Sequence, residues 1–151
     1  MIARRRPLLS ACLALGIGMG GFVDGILFHQ LLQIHNMLSA RIPTTDLVGA
    51  KVNMVWDGVF HAGVWMMTAL GIALLWRAGR TSGADLSGHL LAGAMLMGWG
   101  LFNLVEGLID HHLLQLHHVV EAVGLSPWDY AFLVWGGLML GGGWLLARAR
   151  H

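Results

Sequence analysis

The chain has 151 residues, 56% of them hydrophobic and only 11% charged, with a mean hydropathy of +0.67. A water-soluble domain carries about 25% charged residues, so the composition excludes a soluble globular protein and puts nearly all of the chain in lipid. Nine basic residues against eight acidic ones leave net +1. No basic stripe is available for nucleic acid, and the one cysteine, Cys12, excludes an internal disulfide or a cysteine-based zinc site.

Four apolar runs, at about 8–30, 52–76, 88–110 and 128–147, are each long enough to cross the hydrocarbon core as a helix. The expected fold is an all-α membrane protein, a four-transmembrane-helix bundle in a single domain over 1–151. The first run follows Arg4, Arg5 and Arg6. With Leu9-Ser10-Ala11-Cys12 it resembles a signal peptide with a lipoprotein cleavage site. The apolar stretch before Cys12 is shorter than a signal core of about 7–15 residues, so the run reads as an uncleaved span. It leads into Asp24-Gly25 and a loop around Pro43. The second run opens on Trp56-Asp57, carries His61 one turn later and ends at Arg77 and Arg80. The third closes on Glu106-Gly107, and the fourth opens on Pro127-Trp128-Asp129.

Basic residues orient the chain. Arg4, Arg5, Arg6, Arg77, Arg80, Arg148 and Arg150 group at the two termini and the middle loop, and only Arg41 and Lys51 fall on the other side. By the positive-inside rule both termini are cytoplasmic, in a bacterial inner membrane.

The strongest signal is an internal repeat. Asp24-Gly25-Ile-Leu-Phe-His29-Gln30-Leu-Leu-Gln33-Ile-His35-Asn36 aligns without gaps on Glu106-Gly107-Leu-Ile-Asp110-His111-His112-Leu-Leu-Gln115-Leu-His117-His118. Trp56-Asp57 and Trp128-Asp129 echo each other as well. Two tandem helix pairs, about 8–76 and 88–147, follow from this, related by a pseudo-two-fold axis along the membrane normal. What the copies share is acid, His, Gln and His, the residues that lipid tolerates least. At a rise of about 1.5 Å per residue, all four helices place ionisable groups at similar depth in the outward half of the bilayer. Six of the eight acids (Asp24, Asp57, Glu106, Asp110, Glu121, Asp129) and seven of the nine histidines (His29, His35, His61, His111, His112, His117, His118) fall there or just above.

An ionised acid at mid-membrane costs at least about 2.5–3.5 kcal/mol, and basic partners are nearly absent from these segments. A cation held between carboxylates and neutral imidazoles offsets that cost directly. The ligand types suit zinc, iron, copper or manganese, and bundles build dinuclear sites in this way. Asp57 and His61, and Glu106 and Asp110, are four apart on one helix face. Asp24 to His29 and Glu106 to His111 are five apart, about 140° around a straight helix. They share one site only if the helix is distorted, which makes Gly25 and Gly107 the expected kink or bulge positions. His35 and His117, eleven residues beyond their acids, are expected in a second, rim layer with His118 and Glu121. Gln33 and Gln115 are expected to hydrogen-bond the ligands from behind. Gly16-x-x-x-Gly20, Gly21-x-x-x-Gly25 and Gly137-x-x-x-Gly141 are helix-packing motifs. Trp56, Trp128 and Trp135 are interface anchors, and Met95, Met97 and Met139 are core filler.

The expected metal ligands are Asp24, His29, Asp57, His61, Glu106, Asp110 and His111, with His35, His117 and His118 at the rim and Asp129 as a proton acceptor. Three functions compete. One is a non-haem metalloenzyme, with one or two ions of iron, copper or zinc, acting as an oxidoreductase on a lipid or small apolar substrate, or as a zinc hydrolase. The second is a haem b electron carrier using His29 or His61 with His111. The third is a copper- or zinc-handling protein without catalysis, serving an outward-facing protein partner or acting as a homo-oligomer. The Asp24 and Glu106 motifs resemble those of a family of uncharacterised bacterial four-helix membrane proteins containing a domain of unknown function. The resemblance spans nearly the whole chain and implies the four-span architecture, with no activity attached.

Overall fold

The computed structural model describes residues 2–149; Arg150, used above for orientation, lies outside them. Helix α1 spans Ile2–Val23 and runs into a π-helical segment, Asp24–Leu31. Helix α2 spans Leu47–Arg80, and α3 spans Gly88–Glu106 and likewise widens into a π-helical segment, Gly107–Leu113. A 3-10 turn at Glu121–Val123 precedes α4, Pro127–Arg148. No strand occurs among the described residues. All four helices are long and apolar enough to cross a membrane, so the fold is the expected all-α four-helix membrane bundle.

Local chemistry sets the boundaries. Asp46 starts α2, its Oδ1 accepting from Gly49 N at 2.7 Å, which supplies one of the acceptors that the first turn lacks. A capping box between Ser126 and Asp129, with Pro127 in the first turn, starts α4. The second span begins five residues earlier than its apolar run because Asp46, not hydropathy, sets the start.

The helices pack in the order α2, α1, α3, α4, so each outer helix leans on one inner helix. The central α1–α3 crossing rests on Gly16 and Gly98. A Cβ on Gly16 would lie 2.9 Å from Gly98 Cα, so only two glycines let these backbones approach so closely. One expectation is overturned here. Gly137 and Gly141 face open space, and the α3–α4 contact is made instead by Gly136 and Gly143. The apolar run of α4 places small residues on two faces, and spacing alone does not say which face is packed.

The two ends of the bundle differ in kind. At the arginine end, Leu8, Cys12, Leu90, Ala94 and Ala147 form a dry core. Above it Arg4 donates to Gly83 O at 2.6 Å, Arg5 pairs with Asp85 at 3.2 Å and donates to Ala147 O, and Arg148 stacks on Trp144. At the other end the largest fully buried side chains are His29, His111, His117, Asn53 and Asp129. Trp56, Trp128 and Trp135 are exposed on the outer surface, as lipid-facing anchors require.

Candidate metal centre

Each inner helix changes pitch where its acid stands. In the π-helical segments backbone bonds skip five residues, as in Leu32 N to Leu27 O (2.8 Å) and Leu114 N to Ile109 O (2.7 Å). A five-residue step then stacks one residue over another, bringing Asp24 and His29 to one face, and Glu106 and His111 to another. His29 Nε2 lies 3.2 Å from Asp24 Oδ2, and His111 Nε2 donates to Glu106 Oε1 at 3.1 Å. Bulges are where the sequence asked for them, beside Gly25 and Gly107. A Cβ on Gly25 would lie 2.6 Å from His61 Nε2, so this glycine also admits the neighbouring helix.

Immediately beyond, both copies reverse. Gln33 (φ 50°) and Gln115 (φ 49°) adopt the left-handed conformation, and the chain folds back over the end of its own helix. This overturns the rim layer. His35 and His117 do not rise above the acids but turn down onto them. His35 Nε2 comes to 3.9 Å from Asp24 Oδ1, and His117 Nε2 donates to Glu106 Oε1 at 3.0 Å. The same turn leaves Gln33 and Gln115 exposed, so they do not support the ligands from behind.

Four imidazoles therefore cluster, with ring centroids 4.7–6.3 Å apart among His29, His35, His111 and His117. Each Nδ1 points outward to an oxygen. His29 donates to Asp57 Oδ1 at 2.9 Å, and His111 Nδ1 lies 3.2 Å from Asp129 Oδ1. His35 donates to Val119 O at 3.0 Å, and His117 to Met37 O at 3.2 Å. The last two cross between the repeats reciprocally, so neither half completes its site alone. Two groups that could hold a metal ion result, His29–His35–His117 and Glu106–His111–His117, each with its candidate ligand atoms within 4.8 Å of one another.

Electrostatics differ between the two folded-back histidines. Burial, then the neighbouring His117 and His29, push His35 down to about 3, so its ring is neutral. Burial opposes the proton on His117 as well, but the Glu106 hydrogen bond and charge hold it above its ordinary value. Five buried atoms of the cluster make no hydrogen bond among the described residues: Asp24 Oδ2, His29 Nε2, His35 Nε2, Glu106 Oε2 and His111 Nδ1. A closed hydrogen-bond network would leave none of these idle.

Residues 11–150 match the family described as predicted membrane protein (DUF2243). The chain belongs to that family. The description carries membrane residence and no activity. No curated protein and no solved structure matches the chain. For this DUF2243 protein the chemistry has to come from the site itself.

The remaining expected ligands stand apart from the cluster. Asp57 lies behind His29, its oxygens also accepting from Met37 N and Asn36 Nδ2. Asp129 lies behind His111, fully buried, its oxygens taken by Val119 N, Ser126 N and the Ser126 hydroxyl. His118 Nδ1 approaches Asp129 at 3.5 Å. His61 donates to its own helix at Asp57 O, 2.7 Å away, so Asp57 and His61 do not form a chelating pair. Asp110 lines a neighbouring cavity, and His112 bonds Gly107 O and leans on Tyr130. Sequence reasoning missed Ser39 and Asn53, which with Asn36 hold the folded-back loop. Asn53, almost fully buried, accepts from Leu38 N and donates to Ile42 O. An Asn near the start of the second apolar run, unmatched in the second copy, was the available signal.

Proposed function

We propose that this DUF2243 protein is a non-haem membrane metalloprotein. In this reading His29, His35, His111 and His117, with Asp24 and Glu106, hold one or two transition-metal ions in the outward half of the inner membrane, both chain termini being cytoplasmic. The observation that carries it is the pairing of His29 and His35 Nε2 around Asp24 and of His111 and His117 Nε2 around Glu106, with each Nδ1 facing an oxygen on the outer side. That outer arrangement fixes tautomer and ring direction in metal-binding histidines. Nitrogen-rich ligation with two carboxylates suits iron or copper before calcium or magnesium. The reading includes redox chemistry on a lipid-phase substrate. Zinc hydrolysis and non-catalytic copper or zinc handling use the same ligands.

Two features favour an ion over haem b. The imidazole rings are in mutual contact, with 4.7 Å between the His35 and His117 centroids, which leaves no slot for a macrocycle between them. The carboxylates among them offset a cation's charge, which haem ligation by two histidines does not require. The test is metal analysis of protein purified in detergent, with an absorption spectrum. Stoichiometric iron, copper or zinc without a Soret band is expected. A Soret band moves the assignment to haem, and folded protein that stays metal-free after incubation with each of these ions overturns the reading.

A further inference from the structure

An apolar cavity of about 270 Å3 lies beside the centre, and Glu106 forms part of its wall. Phe60 and Phe102 contribute two tilted rings with centroids 6.1 Å apart, and Leu101 and Val105, exposed on the outer surface of α3, stand at its mouth. The opening therefore faces the lipid phase rather than the end of the bundle. Its two polar side chains are both acids. Glu106 is 5% exposed, and its Oε2 has no partner while its Oε1 serves two histidines. Asp110, one turn further on and half buried, makes no side-chain hydrogen bond among the described residues.

Unpartnered carboxylate oxygens in an apolar wall call for a hydrogen-bond donor. No Lys or Arg lines the cavity, so an anionic headgroup meets only like charge. An ammonium group would have to shed its hydration to arrive through lipid, whereas a hydroxyl arrives neutral. Paired phenylalanines favour a ring as its carrier. We infer that the cavity binds a neutral aromatic molecule from the lipid phase, of the phenol or quinol type, with its single O–H donated to one carboxylate oxygen of the Glu106–Asp110 pair. This deepens the metal-centre reading by naming the substrate class, and the cavity stands on its own lining.

The test uses full-length protein and native mass spectrometry, with 4-hexylphenol as probe and 4-hexylanisole, which lacks the donor, as control. The phenol is expected to bind about tenfold more tightly, as one charge-assisted hydrogen bond allows. Asp110→Asn narrows that preference, and Val105→Trp or Leu101→Trp, each placed at the exposed mouth, blocks binding while metal content stays unchanged. Equal binding of phenol and anisole, or unaltered binding in both tryptophan variants, overturns the inference. Phenol preference in protein that stays metal-free after incubation with iron, copper and zinc upholds the cavity and removes the metal centre. Bound metal without phenol preference does the reverse.

Discussion

His35 and His117 stack face to face where the two repeats meet, their ring centroids 4.7 Å apart and their planes 16° from parallel. Each is fixed by a carbonyl of the opposite repeat, His35 by Val119 and His117 by Met37. Loops 33–40 and 115–123 thus clamp each other, and Ser39 donating to Glu121 Oε2 at 2.8 Å closes the clamp. Duplication here does more than repeat a packing solution. It builds one centre from two incomplete halves.

If these rings are ligands, His35→Ala and His117→Ala lose bound metal, whereas His112→Ala, whose ring packs on Tyr130, retains it. The loss should exceed the roughly 10–100-fold that removal of an outer partner costs. Metal per protein by mass spectrometry, with circular dichroism to verify helicity, reads the outcome. Equal metal in all three variants would remove both residues from the ligand set.

In the proposed reading, Asp57 and Asp129 act through His29 and His111. Asp57→Asn and Asp129→Asn keep the shape but weaken the hold on Nδ1, so metal affinity should fall about 10–100-fold in each. Asp129 also caps α4, and losing a cap costs about 1 kcal/mol. A lower melting temperature is therefore expected for Asp129→Asn beyond any effect of metal. Chelator competition measures the affinities. An affinity unchanged in either variant would make that aspartate purely structural.

The bundle and the polar layer at one end of it were legible in the sequence because lipid makes every polar residue conspicuous. A five-residue step beside a glycine also announced the pitch change at Asp24 and Glu106. The reversal at Gln33 and Gln115 was not legible. A left-handed residue is signalled by Gly or Asn, and glutamine carries no such mark, so His35 and His117 looked like residues further along a continuing helix. His61 misled for the opposite reason. Its spacing from Asp57 is ideal for chelation, but the Asp57 carboxylate is turned toward the loop and leaves it only a backbone carbonyl.

Acid should destabilise the metal-free protein through His35. Its folded-state value, about 3, lies below the ordinary 6.5, so the unfolded chain takes up the proton first. The stability associated with a neutral His35 is complete above pH 6.5 and is lost progressively as pH falls toward 3. His35→Gln, which cannot ionise, should flatten melting temperature against pH across that window. An unchanged acid slope in this variant would place the titrating group elsewhere.

Gln33 and Gln115 occupy the left-handed region with exposed side chains. A non-glycine residue there stores about 1–3 kcal/mol of strain at most. Gln33→Gly should raise the melting temperature slightly or leave it unchanged, and Gln33→Val should lower it and loosen metal binding together, since the reversal is what delivers His35. A destabilised glycine variant would mean that the glutamine side chain itself holds the turn.

The glycines separate packing within the bundle from packing outside it. Gly16→Val drives a side chain into the α3 backbone, where even a Cβ would lie 2.9 Å from Gly98 Cα. Overpacking typically costs about 1–3 kcal/mol, and more is expected where the obstacle is backbone that cannot yield. Gly137→Val meets nothing within 4 Å and should leave the melting temperature in detergent nearly unchanged. Comparing the two variants by melting temperature and size-exclusion chromatography tests the helix order α2, α1, α3, α4, because only in that order does Gly16 lie at a crossing while Gly137 faces outward. Equal destabilisation without a change in size would contradict that arrangement, since α4 would then have to present Gly137 to another helix of the same chain.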